Sequence, residues 1–327
     1  MTTFKIEQRK FLKNGLGFIV FLCVVLFSVE FVTSYLVQHS SDAQTGKINL
    51  VMQHEIDPKI MMFGSSVAEV GLNSNTIENK TQRTTHNMGI DGTTVSNSEF
   101  LIDEFLSYSK NCETVVIGMA FFSFTKSKKI NAPERFLAYK SNPYVKQNIF
   151  NVQPDLGHKL YYVPFYSFIV ANHTYYKNAF YGLKNVMNAK VSLIDSLKGF
   201  VPHHTEYYDT RKNGKQLDYV SIDTVAISDY KRIIGKIKSH TIEPILVLMP
   251  MHVNGQDSFS NFEAYREHAK ILSEEMGVQL YDFSEHDLTT HDEYYYNNGH
   301  LNTTGAHVFS AVLADSLNLD YKQNILN

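Results

Sequence analysis

From Gly15 to Val37 the chain reads GLGFIVFLCVVLFSVEFVTSYLV, 23 residues broken by a single charge at Glu30. In a helix rising about 1.5 Å per residue, a run of that length crosses the roughly 30 Å hydrocarbon core of a bilayer and satisfies its own backbone polar groups. Lys5, Arg9, Lys10 and Lys13 lie just before it, and the next base is Lys47. The positive-inside rule then keeps the N-terminus cytoplasmic and places the rest outside, at the cell surface or in a periplasm. A cleaved signal peptide is the rival reading, with Gly15 to Val29 as its apolar core. No small-x-small site follows at a fitting distance, so a retained single-pass cell-membrane anchor is expected. A lipoprotein is disfavoured because Cys23 sits mid-span. A carboxylate in lipid is costly, so Glu30 either rises toward the outer headgroups or pairs with a polar group on a neighbouring transmembrane helix. The expected organisation is a tail over 1–14, an anchor over 15–37, a polar tether over 38–56 and an extracytoplasmic domain over 57–327.

The body carries short, continuous apolar runs, several of them closed by glycine or proline. Lys59–Phe63 ends at Gly64 and Pro244–Met249 at Pro250, with Thr114–Met119 of the same kind; Thr84–Met88, ending at Gly89, and Val278–Phe283 read as two further short strands. Between them lie segments with helical apolar spacing: Val95–Ser109, Ile222–Ile237, Phe262–Met276 and Thr304–Leu317. Strands alternating with helices predict parallel βαβ units, and runs that do not alternate predict strands covered on both faces. The fold class expected is therefore α/β, a doubly wound and mostly parallel sheet. Residues 125–215 break the rhythm. Tyr161 to Tyr181 holds nine aromatics in 21 positions, which reads either as a helical insertion with a small core of its own or as an aromatic face for a membrane interface or a carbohydrate chain.

Charge narrows the partners. The whole chain is formally −3, and without the four bases and one acid of residues 1–13 the remainder is 26 bases against 32 acids, or −6. A mildly acidic body with no basic cluster argues against nucleic acid. With Cys23 in the span, Cys112 stands alone in the body, and no disulfide joins the two. Neither an HExxH pair, nor paired cysteines, nor a phosphate loop occurs, so no metal and no cofactor are expected.

Three segments fall where strands of such a sheet end, and there ligands gather. Gly64-Ser65-Ser66 follows the first strand; a tight turn into a helix exposes the Ser66 hydroxyl as a nucleophile, although a serine there also serves as a plain N-cap. Asn87-Met88-Gly89 follows the second, where a glycine lets a backbone amide approach closely enough to donate to an oxyanion. Asn297-Asn298-Gly299-His300 precedes the last helix, placing an imidazole where it can reach Ser66 across 234 positions of sequence. Together these resemble the SGNH/GDSL-like hydrolase superfamily, whose first block is Gly-Asp-Ser and whose last is Asp-x-x-His before a helix. The Gly-Ser-Ser variant, the His-Leu-Asn-x-x-Gly-Ala continuation and the anchor are most similar to the DltD-like and alginate-O-acetylation-like branch, partners of membrane-bound O-acyltransferases.

The resemblance covers roughly residues 57–125 and 240–317. It implies Ser66 as nucleophile, His300 as base and Asn297 as its orienting partner, with the Ser66 and Gly89 N–H groups as oxyanion donors. Two departures accompany it. Gly118-Met119-Ala120-Phe121 stands where the family has Gly-x-Asn-Asp, so an oxyanion asparagine is missing. Asn297 stands where the family has aspartate; Asp292 and Asp282 are the carboxylates that could serve instead. The function implied is transfer of an acyl group, acetyl above all, to a cell-surface polysaccharide beside a membrane O-acyltransferase. An esterase or deacetylase, and a non-catalytic scaffold or glycan-binding subunit, are the other readings.

Overall fold

The computed structural model describes residues 2–188, 196–211 and 217–326; residues 189–195 and 212–216 of the expected insertion lie outside the described residues. In chain order the elements are α1 (Thr2–Gln38), α2 (Ala43–Met52), β1 (Ile60–Gly64), α3 (Ser66–Gly71), α4 (Ser74–Thr81), β2 (Thr85–Gly89), α5 (Glu99–Tyr108) and β3 (Thr114–Met119). The insertion follows with α6 (Pro143–Val152), α7 (Pro154–Tyr162), α8 (Ser167–Val170) and α9 (His173–Asn188). The sheet resumes with α10 (Thr224–Ser239), β4 (Glu243–Leu248), the single turn α11 (Val253–Gln256), α12 (Phe262–Met276) and β5 (Gln279–Asp282). A hairpin of β6 (Tyr295–Asn297) and β7 (His300–Leu301) leads into α13 (Thr303–Leu326).

Strands β1 to β5 form one parallel sheet in the order β2-β1-β3-β4-β5. This is the expected doubly wound α/β fold, and the order of crossovers reverses beside β1, the point at which such sheets bind ligands. Alternate residues of each strand face opposite layers. Met61 and Phe63 enter an apolar cluster with α5, α10 and α12, while Ile60 and Met62 enter another with Phe309, Leu313 and Leu317 of α13. Burial on both faces is why β1 and β3 read as apolar runs.

Two expectations are corrected. The segment 38–56 is no polar tether: α2 lies in the core with Ile48, Val51 and Lys47 almost inaccessible, and Asn49 Nδ2 donates to the carbonyls of Val37 (2.9 Å) and Ser40 (3.0 Å), closing the end of α1. The insertion does not pack a separate core either. Phe136, Val145, Ile149, Leu160 and Tyr175 join the same cluster as the sheet. On its other side the insertion grips the end of α1, where Gln38 Nε2 donates to the Ala138 carbonyl at 2.8 Å and Gly182 lies so close to Leu36 that a Cβ would stand 1.7 Å from its carbonyl oxygen.

Among the described residues one helix, over Ile6–Gln38, is long and apolar enough to cross a membrane. Glu30 finds partners within the chain, Lys140 Nζ and the Ser167 hydroxyl.

Candidate active site

The segment that carries Ser66 is built by close approach. Strand β1 ends at Gly64, whose missing side chain leaves room for α3: a Cβ there would stand 2.4 Å from Cβ of Ala68 and 2.9 Å from the Gly118 carbonyl oxygen of β3. Ser65 is the N-cap, its Oγ accepting from Val67 N at 3.3 Å, which frees Ser66 to open the helix with its own hydroxyl turned to the site. As the first residue of α3, Ser66 has an N–H with no acceptor one turn back.

Three side chains from the two ends of the body meet here. Ser66 Oγ lies 2.9 Å from His300 Nε2, and His300 Nδ1 lies 3.0 Å from Asn297 Oδ1. The Asn297 oxygen also accepts from Gly299 N–H at 2.9 Å, so the acceptor end of the amide faces the imidazole. That fixes the proton on Nδ1 and leaves the Nε2 lone pair for the serine hydroxyl, the tautomer that general-base catalysis needs. The hairpin β6–β7 makes this possible because Asn297 and His300 are cross-strand partners. Its tip is pinned by buried Asn298, whose Oδ1 accepts from Tyr207 Oη and Thr210 N–H and whose Nδ2 donates to Asp209. Tyr296 stacks on His300 at 5.4 Å between centroids, and His203 stacks on Tyr296 at 4.2 Å.

Burial pushes His300 down to about 4, against the pull of the nearby Asp91 carboxylate and with a small contribution from His203. The imidazole is thus held neutral at physiological pH, ready to accept a proton but poorly placed to keep one. Neither expected substitute carboxylate is in reach. Asp292 accepts from His252 Nε2 at 2.9 Å, and Asp282 is bound by Arg266 and by Ser284.

Gly89 does not serve as expected. Its N–H is committed to Asn87 Oδ1 at 2.8 Å, and its close contact is with Glu69, whose backbone N a Cβ on Gly89 would approach to 2.4 Å. The residue that sequence reasoning passed over is Asn87. Its Nδ2 lies within bonding distance of the carbonyls of Ala68 (2.8 Å), Glu69 (3.2 Å) and Leu72 (2.7 Å), so a fully buried amide ties the C-terminal end of the nucleophile helix to β2. The signal was an asparagine in a short segment read as a buried strand, since a buried amide must find partners. A second support is Lys47 of α2. Almost inaccessible, it donates to Glu69 Oε1 (2.9 Å) and to the Gly89 carbonyl (2.8 Å), with its pKa lowered by burial against the opposing pull of Glu69.

Beside His300 opens a cavity of about 470 Å³. Phe121 and Phe259, 4.4 Å apart, form an apolar wall, while Arg211, Asp218 and Asp257 supply charge; Asn297 and His300 close one end.

No protein-family profile and no curated relative matches the sequence. Solved structures do align with it at low identity. A Streptococcus pneumonia protein assigned as a platelet activating factor is 13% identical, with 89% of this chain and 98% of that one covered at a TM-score of 0.45. A Bacteroides fragilis protein assigned as an acylhydrolase is 10% identical, with 83% and 95% covered at 0.40. A Desulfitobacterium hafniense lipolytic protein assigned to the G-D-S-L family is 11% identical, with 79% and 98% covered at 0.38. At these scores the likeness carries no chemistry across, and the reading of the site rests on its own geometry.

Proposed function

We propose that this chain is a membrane-anchored, extracytoplasmic serine acyltransferase of the SGNH kind, moving an acyl group, acetyl above all, to a hydroxyl of a cell-surface polysaccharide. The observation that carries the reading is the relay Ser66–His300–Asn297, with both hydrogen bonds formed and the tautomer set.

In the first half-reaction the Ser66 proton passes to His300 Nε2 as Oγ bonds to the acyl carbon. The carbonyl oxygen takes the electron pair and faces the Ser66 N–H; collapse expels the donor's oxygen, which receives the proton from His300. The second half repeats these steps with an acceptor hydroxyl, returning Ser66. With Gly89 N–H occupied, the oxyanion has fewer donors than a full hole supplies, which favours an activated acyl donor. A membrane-bound O-acyltransferase delivering such a donor from the bilayer is the partner this reading implies, with the body outside and the basic residues before the span inside. The mixed apolar and charged wall of the cavity beside His300 suits a polyhydroxylated acceptor.

An esterase would use the same steps with water as acceptor. A scaffold would have no need of a hydrogen bond between Ser66 and a neutral imidazole, so the relay weighs against it.

Intact-mass labelling of the full chain in detergent, with a fluorophosphonate or an activated acetyl ester, tests this. One adduct on wild type and none on Ser66→Ala or His300→Ala is the expected result. No adduct on folded wild type defeats autonomous serine chemistry. Product rising above the water background when glycan is added separates transfer from hydrolysis.

A further inference from the structure

The aromatic insertion lies alongside α1 in an order that reports depth. Phe165 packs on Phe27, with ring centroids 4.9 Å apart. Ser167 bonds Glu30, Tyr175 Oη lies 3.0 Å from the Ser34 hydroxyl, Gly182 abuts Leu36, and Asn185 Nδ2 donates to the His39 carbonyl at 2.9 Å. As the insertion runs from 165 to 185, its partner on α1 moves steadily outward from 27 to 39. Exposed apolar residues on α1 continue as far as Tyr35, the residue expected at the outer headgroups. At about 1.5 Å per residue, Phe27 lies roughly 12 Å beneath it, well inside the outer half of a hydrocarbon core about 30 Å thick.

We infer that residues 162–170 form a foot embedded in the outer leaflet, beside the span, so that the bilayer itself covers the exposed apolar face of the insertion. This rests on the reading of α1 as a membrane span. The side chains at that level suit lipid: Tyr162 is 70% exposed, Val163 48% and Ile169 73%. The backbone suits it too. The N–H groups of Val163, Tyr166, Phe168, Ile169, Val170 and Ala171 all donate to carbonyls within 159–167, and residue 164 is proline, which has none to satisfy. Backbone without such partners is excluded from hydrocarbon. The charges are placed accordingly. Lys140 neutralises Glu30 at the level where an isolated carboxylate would be costly. Higher up, Lys177 and Lys184 lie over Tyr181 and Phe180, at distances of 5.3 and 4.5 Å to the ring centroids, where ammonium groups meet phosphates.

The chain contains no tryptophan, so one introduced indole is a unique reporter. Full-length Ile169→Trp, Phe21→Trp in the span and Ile271→Trp on α12 of the body would be reconstituted in phosphatidylcholine vesicles brominated midway along the acyl chain. The expected result is quenching of the Ile169→Trp and Phe21→Trp indoles with Ile271→Trp unquenched. Tyr162→Trp repeats the test from the neighbouring turn, should Ile169→Trp fold poorly. Quenching of Phe21→Trp with Ile169→Trp and Tyr162→Trp left bright overturns the foot while the span stands. Absence of quenching at Phe21→Trp removes the span, and the foot with it.

Discussion

Replacing Asn297 by aspartate asks how much of the site's power the amide withholds. The Asn297 oxygen lies 3.0 Å from His300 Nδ1, so a carboxylate there would sit with its charge about 4 Å from the centre of an imidazolium. At an effective dielectric near 20 that attraction is about 4 kcal/mol, and solvent reaching the half-buried pair brings it to roughly 2 kcal/mol. The carboxylate keeps the Gly299 N–H as a donor, so part of its own desolvation is offset. At about 1.4 kcal/mol per unit, the imidazole moves from about 4 to roughly 5.5. Because His300 gains the proton in the transition state, the same 2 kcal/mol accelerates acylation about 30-fold. The assay is the second-order rate of fluorophosphonate labelling, or the burst of nitrophenol from p-nitrophenyl acetate, at pH 7. Asn297→Leu, which offers Nδ1 no acceptor, should fall well below wild type. A folded Asn297→Asp that labels no faster than wild type, or whose imidazole titrates unchanged by NMR, would refute the view that Asn297 limits this site by lacking charge.

His300 at about 4 and His86 at about 3, the latter lowered by burial and by the nearby Lys47 and Lys198, are both held neutral in the folded protein. The unfolded chain takes up protons near pH 6.5 and the folded one does not, so this stability is present above pH 6.5 and is lost as pH falls toward 4; denaturant midpoints across that range should drop, and drop less in His86→Gln. For the same reason the acid limb of the labelling rate should lie near pH 4 to 5, and a limb near 6.5 would contradict the burial of His300. Lys47→Met strands Glu69 without its ion-pair partner in the core and should cost about 3–5 kcal/mol of unfolding free energy, with Lys47→Met/Glu69→Leu recovering much of it. Asn87→Ala removes the donor shared by three carbonyls at the end of α3 and the acceptor of Gly89 N–H, and should lower stability by about 2–4 kcal/mol and labelling of Ser66 together.

What could be read from the sequence and what could not divide along physical lines. Strands β1, β3 and β4 were visible because burial on both faces leaves an apolar word, as in Lys59–Phe63 and Thr114–Met119, and because glycine ends β1 where α3 presses down on it. The pairing of Ser66 with His300 was legible because a serine at a strand-to-helix turn and an imidazole before a helix occupy short contiguous motifs. Segment 38–56 misled, since Ser40, Asp42 and Lys47 are residues that normally face water; a lysine with no accessible surface is rare enough that composition votes against it. Gly89 misled because a glycine says that something comes close, not what: here the close neighbour is Glu69 of α3, while Asn87 Oδ1 takes the N–H that an oxyanion was expected to use.

The apolar N-terminal helix is where local reading fails for a deeper reason. Periodicity treats the span and the body as separate problems, yet Asn49 caps α1 from α2 at two carbonyls, and α2 carries Lys47 to the Gly89 carbonyl beneath the nucleophile helix. The insertion grips the same end of α1 through partners a hundred or more positions away in sequence, Ala138 for Gln38 and Tyr175 for Ser34. A body released at residue 39 or 40 would therefore lose Val37 from its core and remove one of the two carbonyls that Asn49 Nδ2 meets. Rotation of α1 about its axis cannot be absorbed by a slack linker, because α2 begins within five residues of its end. On the proposed reading of α1 as a membrane span, whatever it met in the bilayer would be mechanically continuous with α3, and the fold itself would hold Ser66 at a fixed attitude to the membrane.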